Sequence, residues 1–380
     1  MPINGPLLPQ SLYPLAWQEV LKTAAQYPHK EAVVAPSTRL SYQAMVEEVG
    51  RYDATLTSLR LRRGDRVAVI LRNDWPYLGF YWAALAWGIV FVPLNPRLAT
   101  PEVADILEHA DAHLVIVEDQ LWDHVSPAYQ SRCLTLSQWM AHLKECNTPA
   151  PFKTAVDPHS VAIILYTSGT TGKPKGVMLT HRNISVQFFQ CTSSLLSLNP
   201  EDRIVALFPL FHSAQHVFLH PPFTVGATLV IDTFCPQNVM PLLTREQVTI
   251  FFDVPAMYHL LLNDPTFSAQ HLPHIRLLTY GTSIIPMETI QTLKNRFPRA
   301  EIRNLYRQTE NSPAISGLES QYAVLMDLSK SDHRESIDQT EPPSCFMMPP
   351  LLRAIDRSST GGHSTGCHRA VLWLHSNGCD

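Results

Sequence analysis

Short apolar runs alternate with polar and amphipathic stretches along most of the 380-residue chain. Buried strands are predicted for the apolar runs at 65–71, 89–92, 113–117, 161–166, 203–208, 226–231, 248–254 and 275–280. Helices are predicted between some of these runs, at 101–110, 181–196 and 288–297. This alternation of strands and helices is typical of an α/β fold with parallel strands.

One uncharged segment approaches the length of a membrane span. Residues 75–96 carry no charged side chain over 22 positions. Pro76 suits the first turn of a helix, Gly88 suits a helix C-terminus, and the run Ile89 to Val92 suits a buried strand. We therefore predict a helix, a turn and a strand of a globular core, in preference to a membrane helix.

Composition and charge narrow the class of protein. Hydrophobic residues make up 45% of the chain, which excludes a wholly disordered protein. The 29 basic and 33 acidic residues give a net charge of −4 without a basic run, so nucleic acid is disfavoured as the main partner. The seven cysteines form no CxxC pair, and neither a zinc site nor a disulfide framework is predicted. The N-terminus lacks the pattern of a signal peptide, and we expect a cytoplasmic protein.

The clearest chemical signal is a glycine-rich segment directly after a predicted strand. Residues 166–176 have the sequence YTSGTTGKPKG. Glycines let backbone N–H groups approach an anion closely, while hydroxyl and lysine side chains add donors and positive charge. The residues that supply these groups are Thr167, Ser168, Gly169, Thr170, Thr171, Gly172, Lys173 and Lys175. Together they predict a cradle for a polyphosphate.

The same segment differs from a Walker loop. Only two residues separate Gly169 from Gly172, where a Walker loop has four. Pro174 follows Lys173, in place of the Ser or Thr that a Walker loop requires. A P-loop NTPase is therefore excluded.

The longer run at 166–183, YTSGTTGKPKGVMLTHRN, resembles the phosphate-loop signature of the adenylate-forming enzymes. This superfamily comprises acyl-CoA synthetases, peptide synthetase adenylation domains and luciferases. Further similar motifs stand in the family's order: PLNP at 93–96, FPLFHS at 208–213, YGTS at 280–283 and NLYRQTE at 304–310. The resemblance covers residues 12 to about 317, and it implies the large N-terminal domain of this α/β fold, with two α/β-layered subdomains.

The resemblance implies ATP-dependent activation of a carboxylic acid. The acid attacks the α-phosphorus of ATP, which gives acyl-AMP and pyrophosphate, and a thiol then displaces AMP. CoA as that thiol rests on the family analogy. Because both reactants of the first step are anions, the site must offset their repulsion and align them.

Residue roles are implied by the matching motif positions. The glycine-rich loop would hold the phosphates of ATP, Thr309 would donate to a phosphate oxygen, and Glu310 would help to bind Mg²⁺. Further ATP contacts are expected from Gly281, Thr282 and Tyr306, and the acid pocket would be bordered by His212, Ser213, Thr282 and Ser283. The expected catalytic residues are Lys173, Lys175, His212, Thr309 and Glu310.

The sequence departs from the family pattern in two places. Arg307 stands where the family has glycine. After about Gly317 the chain becomes rich in serine and proline, and the family's C-terminal barrel and lid domain have no recognisable match. We predict an adenylation domain over 1–317, with a connector near 144–159, and an atypical tail over 318–380 that is not a packed domain.

Two functions stay open on the sequence alone. One is an AMP-forming ligase that joins a fatty or other acyl acid to CoA. The other is a truncated, catalytically impaired remnant that binds ATP or an acid without turnover. A folded, lysine-bearing C-terminal domain would favour the first function over the second.

Overall fold

The computed structural model describes residues 15–146, 148–150, 156–167, 174–190, 192, 195–212, 216–281, 283, 285–307 and 314–319. The α-helices are α1 (Ala16–Gln26), α2 (Tyr42–Ser58), α3 (Trp75–Trp87), α4 (Thr100–His109), α5 (Leu136–Glu145), α6 (His181–Gln190), α7 (His216–Leu219), α8 (Pro222–Val225), α9 (Pro236–Arg245), α10 (Pro255–Leu262) and α11 (Met287–Arg296). Short 3₁₀ segments lie at Asp119–His124 and Gln130–Arg132.

The β-strands are β1 (Glu31–Val34), β2 (Arg39–Ser41), β3 (Arg66–Ile70), β4 (Val90–Pro93), β5 (Leu114–Val117), β6 (Cys133–Thr135), β7 (Val161–Thr167), β8 (Lys175–Thr180), β9 (Arg203–Ala206), β10 (Thr228–Ile231), β11 (Ile250–Asp253), β12 (Leu277–Gly281), β13 (Glu301–Arg307) and β14 (Ala314–Glu319). The strands and helices predicted from the apolar pattern are confirmed, with ends that differ by a few residues.

The strands form two mixed sheets. One has eight strands in the order β14-β13-β12-β11-β9-β10-β1-β2, and the other has six in the order β6-β5-β3-β4-β7-β8. Neighbours are parallel throughout both sheets except at β2, β8 and β14, which pair antiparallel at sheet edges. The prediction of parallel strands is therefore right for the sheet interiors and wrong at these edges. Strands joined by a short connection can pair only in the antiparallel direction.

Helix α3 lies in the core that both sheets share. Twelve of its 13 residues are buried. The ring of Tyr77 lies 5.1 Å from that of Phe91 in β4, and the ring of Trp82 lies 5.2 Å from that of Phe223 in α8. A helix that is apolar on every side is stable only when it is surrounded by protein or lipid. The carboxylate of Asp74 caps its N-terminus, and Gly88 ends it in the left-handed region at φ +89°. The predicted helix, turn and strand of this segment are confirmed, and none of the described helices is long and apolar enough to cross a membrane.

A second apolar core covers the other face of the eight-stranded sheet. It contains side chains of β9, β11 and β12 together with side chains of α9, α10 and α11. Tyr258 of α10 donates from its hydroxyl to the carbonyl oxygens of Phe251 and Thr279, at 3.2 and 3.0 Å, so this helix is tied to two adjacent strands. The carboxyl ends of these strands are consequently held on a rigid support.

Candidate active site

The order in which the chain adds strands to the eight-stranded sheet reverses at β9. The chain passes from β9 to β10 on one side, and then returns to β11 on the other side of β9. In open α/β sheets, ligands bind outside the carboxyl ends of the strands at such a point. The segment after β9 contains His212, one of the predicted site residues. Strands β11, β12 and β13 run parallel to β9, so their carboxyl ends lie at the same edge of the sheet.

The strand register brings two of the predicted nucleotide-binding residues to this edge. Gly281, the last residue of β12, pairs with Leu305 of β13, and Tyr306 is the next residue along β13. Neighbouring strands lie about 4.8 Å apart, so the backbones of Gly281 and Tyr306 are close. Ser283, an exposed residue, follows two positions after Gly281. The motifs that the sequence separates by more than 20 residues therefore meet at one edge of the sheet.

Asn73 joins the two sheets at their carboxyl edges. It lies just beyond β3, is 8% exposed, and donates from its side-chain amide to the carbonyl oxygens of Phe208 and Asp232 at 3.0 and 2.9 Å. Its Oδ1 atom accepts the N–H of Leu210 at 2.9 Å. One buried side chain thus fixes the backbone on both sides of Pro209, which leads directly to His212.

A second side chain supports the same segment. The hydroxyl of Tyr77, on α3, donates to the carbonyl oxygen of Leu210 at 2.8 Å. Because β7 runs parallel to β4 and β3, its carboxyl end at Thr167 lies at the same edge of the six-stranded sheet as Asn73. The glycine-rich segment therefore begins on the edge that faces the strand ends of the larger sheet.

The two ends of the glycine-rich segment lie on antiparallel strands. Thr167 of β7 pairs with Lys175 of β8, so residues 168–174 connect the two strands, and Lys175 is exposed. The sequence predicts a loop that leads directly to a helix, whereas the structure has the additional strand β8, whose residues are mostly half-buried or exposed. Thr180 and Asn183 then exchange hydrogen bonds between side chain and backbone, at 3.1 and 3.0 Å, and cap the start of α6.

Close packing beneath the hairpin requires glycine at position 176. A Cβ atom there would lie 2.9 Å from Cγ2 of Ile164 and 3.2 Å from Cζ of Tyr166. The Tyr166 hydroxyl in turn lies 2.8 Å from Nδ1 of His109, at the end of α4. These contacts fix the positions of the ends of β7 and β8 that flank the glycine-rich segment.

His212 lies at the surface of the site. Its backbone N–H donates to the carbonyl of Pro209 at 3.1 Å, and its ring meets the Phe208 ring edge to face at 5.1 Å. Burial lowers the pKa of His216, the first residue of α7, to about 3, and electrostatic repulsion from His212 adds to the shift. His212 is thus the exposed member of this pair and the one able to meet a ligand.

Several predicted site residues lie outside the described residues. These are Ser168, Gly169, Thr170, Thr171, Gly172, Lys173, Ser213, Thr282, Thr309 and Glu310. Their proposed contacts with ATP, Mg²⁺ and the acid stay predictions. Within the described part of the chain, no group of three or more His, Cys, Asp or Glu residues could hold a metal ion.

Two residues at this edge were missed by the sequence analysis. Asn73 gave no signal because its partners lie more than 130 positions away along the chain. Asp253 ends β11 and is fully buried, with its pKa raised by burial to about 8. Its signal was available, since a carboxylate ends an otherwise apolar predicted strand.

Comparison with known proteins gives consistent results. The family model described as AMP-binding enzyme matches residues 20–345. A feruloyl-CoA synthase from Amycolatopsis sp is 30% identical over 299 residues, which cover 78% of this chain and 59% of that protein. The long-chain-fatty-acid–CoA ligase FadD13 from Mycobacterium tuberculosis is 30% identical over 279 residues, which cover 70% of this chain and 54% of that protein. The chain thus spans somewhat more than half the length of these relatives.

A solved structure gives the same result for the fold. The inhibitor-bound crystal structure of the N-terminal domain of FACL13 from Mycobacterium tuberculosis matches with a TM-score of 0.72 and 27% identity, over 82% of this chain and 80% of that chain. The two-sheet architecture is that of the N-terminal domain of adenylate-forming enzymes. The chain belongs to the AMP-binding enzyme family, among relatives that include acyl-CoA synthetases and other acid ligases.

Proposed function

We propose that this protein activates a carboxylic acid with ATP, releasing pyrophosphate, and then transfers the acyl group from acyl-AMP to CoA. The observation that carries the proposal is the bridge made by Asn73. Through this residue, the sheet edge where the phosphate-binding hairpin begins is hydrogen-bonded to the segment that leads to His212. Two anions that must react are thereby given separate binding surfaces on one rigid frame.

In this proposal the hairpin binds ATP and the larger sheet binds the acid. Backbone N–H groups of residues 168–172, with Lys173 and Lys175, hold the β- and γ-phosphates. Gly281 and Tyr306 line the nucleotide, because they lie on adjacent strands at the same edge. His212 and Ser283 border the acid, which attacks the α-phosphorus while pyrophosphate leaves with the electrons of the P–O bond.

Glu310 and Thr309 are proposed to act on the leaving pyrophosphate. When bound, Mg²⁺ supplies positive charge that neutralises the phosphate oxygens. A protein commonly holds this ion with one or two carboxylates while the substrate phosphates complete its coordination. Glu310 is the carboxylate that we assign to it, and Thr309 would donate a hydrogen bond to a phosphate oxygen.

The acid is proposed to be a fatty or other acyl acid, with CoA as the acceptor. Support comes from relatives whose names specify feruloyl-CoA, indoleacetate–CoA and long-chain fatty acid–CoA ligation. These names agree on a carboxylic acid and a CoA thioester and differ in the acid. They also differ from the carrier-protein ligation in the name of another relative, an L-proline ligase.

Pyrophosphate release by the purified chain tests the proposal. The assay uses Mg-ATP and a panel of aliphatic and aryl acids. We expect release that depends on an acid and falls by ~10²–10³ in Lys173→Ala, because a contact to the charge of the transition state is lost. Lys22→Ala is the matched control, since Lys22 is an exposed lysine of α1 whose one ion pair among the described residues is with neighbouring Glu19.

A second outcome would favour the impaired remnant. If the folded chain binds ATP or an acid but releases no pyrophosphate with any member of the panel, the chain binds its ligands without turnover. If it binds neither ATP nor an acid, both functions are wrong.

A further inference from the structure

Asp253 is a carboxylate placed where the proposed acid-binding edge meets the apolar core. It is the last residue of β11, and it pairs in register with Tyr280 of β12, one residue before Gly281. Its side chain is fully buried. It therefore lies beside the strand end to which the acid pocket was assigned.

The surroundings of Asp253 are apolar. Side chains at alternate positions of a strand share a face, so Asp253 lies on the face of Phe251, and its register partner Tyr280 lies on that face too. Both aromatic residues belong to the second core, with α9, α10 and α11. Pockets for small ligands typically combine such apolar walls with a few polar groups that fix orientation.

One oxygen of this carboxyl group has no hydrogen-bond partner among the described residues. Oδ1 accepts the N–H of Val254 at 2.9 Å. Oδ2 is fully buried and has no hydrogen-bond partner among the residues that the structure describes. A buried polar atom without a partner is unfavourable, and proteins generally satisfy such atoms with another group, a water or a ligand.

Burial by itself does not single out Asp253, and a second residue shows this. Asp53, on α2, is 3% exposed, has an unpartnered Oδ1 among the described residues, and has its pKa raised by burial to about 8 as well. It lies in the middle of α2, which contacts α1, α3, α5, β1 and β2, and it is not at the carboxyl end of a strand. Asp53 consequently matches Asp253 in chemistry but not in position.

We propose that Asp253 hydrogen-bonds to a polar group on the tail of the acid, so that the enzyme prefers an acid with an amino or hydroxyl substituent over a plain hydrocarbon acid. The inference rests on the proposed function and specifies its substrate class. An ammonium group would pair with the ionised carboxylate, and a hydroxyl group could bind either form of it. A hydrocarbon tail would leave Oδ2 buried and unpaired.

The test measures binding of acids to the full chain by calorimetry, alongside pyrophosphate release. Hydrocarbon, hydroxyl-bearing and amino-bearing acids of matched length and shape are compared, in aliphatic and aryl series. We expect one polar series to bind at least ~10-fold more tightly than its hydrocarbon counterpart, because a site with a buried hydrogen-bonding group discriminates against a ligand that lacks one.

Variants at both aspartates identify the source of that preference. Asp253→Leu should abolish it for every polar acid. Asp253→Asn keeps the shape of the side chain and its ability to hydrogen-bond but removes the negative charge. It should therefore abolish the preference for the amino-bearing acids and retain much of the preference for the hydroxyl-bearing acids. Asp53→Leu and Asp53→Asn are the matched controls, and they should leave the preference unchanged.

Two results would overturn the inference. One is equal or weaker binding of all polar acids relative to their hydrocarbon counterparts, or no acid binding by the folded chain. The other is a preference that survives in Asp253→Leu or that disappears in the Asp53 variants. Failure of the proposed function is distinguishable, because a binding preference without pyrophosphate release supports the role of Asp253 and contradicts turnover.

Discussion

The two sheets present their carboxyl edges in different ways. In the eight-stranded sheet, β9, β11 and β12 are interior parallel strands that rest on α9, α10 and α11. In the six-stranded sheet, the glycine-rich segment belongs to an antiparallel hairpin whose second strand, β8, is an edge strand. Met178 of this strand is 65% exposed.

This difference matches the tasks that we propose for the two edges. Strand ends on a packed core hold an acid-binding surface of fixed shape. An edge hairpin pairs with the sheet on one side only and has fewer packing partners, so its strands separate more easily than strands on a packed core. Asn73 couples the two edges, so substitutions at Asn73 and at each edge should have distinguishable effects.

The largest effect is expected from Asn73→Leu. Four backbone groups, the carbonyls of Leu207, Phe208 and Asp232 and the N–H of Leu210, would lose a partner, and we expect an unfolding free energy lower by about 3 kcal/mol. We also expect kcat/KM for pyrophosphate release to fall by ~10²-fold, because small misplacements in a site are costly. Chemical denaturation and steady-state kinetics measure the two quantities.

Asn199→Ala is the control for Asn73. Asn199 is exposed, and within the described part of the chain its side chain accepts the backbone N–H of nearby Glu201 and no other group. A loss of stability in Asn73→Leu without a larger loss of activity than in this control would show that the bridge is structural only.

Gly176→Ala tests the hairpin. The added Cβ would press on Ile164, and overpacking of this kind costs about 2 kcal/mol of stability. We expect a higher KM for ATP, with a smaller change in the KM for the acid. The double variant Ile164→Ala/Gly176→Ala should have a KM for ATP between those of Gly176→Ala and the wild type. A KM as high as that of Gly176→Ala would contradict the steric explanation.

Acid pH should destabilise the larger sheet through Glu246. Burial opposes its ionisation, but hydrogen bonds from Arg39 and Arg245, with the charge of Arg203, lower its pKa to about 2. A carboxyl group whose pKa is lowered on folding stabilises the protein above its unfolded pKa, and this stabilisation is lost as the pH falls from about 4.5 to 2. We expect about 2 kcal/mol to be lost, since Arg39 and Arg245 remain partly hydrated.

Glu246→Gln measures this contribution. The variant should be less stable than the wild type at pH 7, and its stability should vary less between pH 5 and pH 2. Glu19→Gln, which removes a surface carboxylate beside Lys22, is the control. If stability falls between pH 5 and pH 2 as steeply in Glu246→Gln as in the wild type, Glu246 is not the group that causes the acid destabilisation.

The smallest effect is expected from Tyr166→Phe. The variant removes the hydrogen bond between the tyrosine hydroxyl and His109 while keeping the ring, so about 1 kcal/mol of stability should be lost. His109→Ala combined with Tyr166→Phe should add little beyond His109→Ala alone. Additive losses in thermal or chemical unfolding would show that the two side chains act independently.

Eight of the fourteen described strands could be predicted, because each of the eight is a short apolar run; β1, β2, β6, β8, β13 and β14 were not predicted. Buried parallel strands need apolar side chains on both faces, so β5 and β10 are visible in the sequence without knowledge of their neighbours. Strand β8 was missed because it is an edge strand with one exposed face. Its burial pattern depends on the six-stranded sheet, which local sequence does not describe.

The site could be predicted only in part. The glycine-rich segment and His212 belong to local sequence motifs. In the structure, strand termini or the segments that follow strands contain Thr167, Lys175, His212, Gly281 and Ser283. Asn73 has no local motif, because its role consists of contacts with distant backbone. Asp253 gave a local signal, as a carboxylate near the end of an apolar run, but its neighbours become evident only when β11 is placed between β9 and β12.

The most direct test of the central claim is ATP–pyrophosphate exchange. Isotopically labelled pyrophosphate enters ATP only when acyl-AMP formation runs in both directions, so the assay reports the first reaction alone and needs no CoA. The account predicts exchange that requires an acid, is lost in Lys173→Ala, and is strongly reduced in Asn73→Leu. Exchange that is independent of any acid, or absent from a folded chain with every acid of the panel, would contradict it.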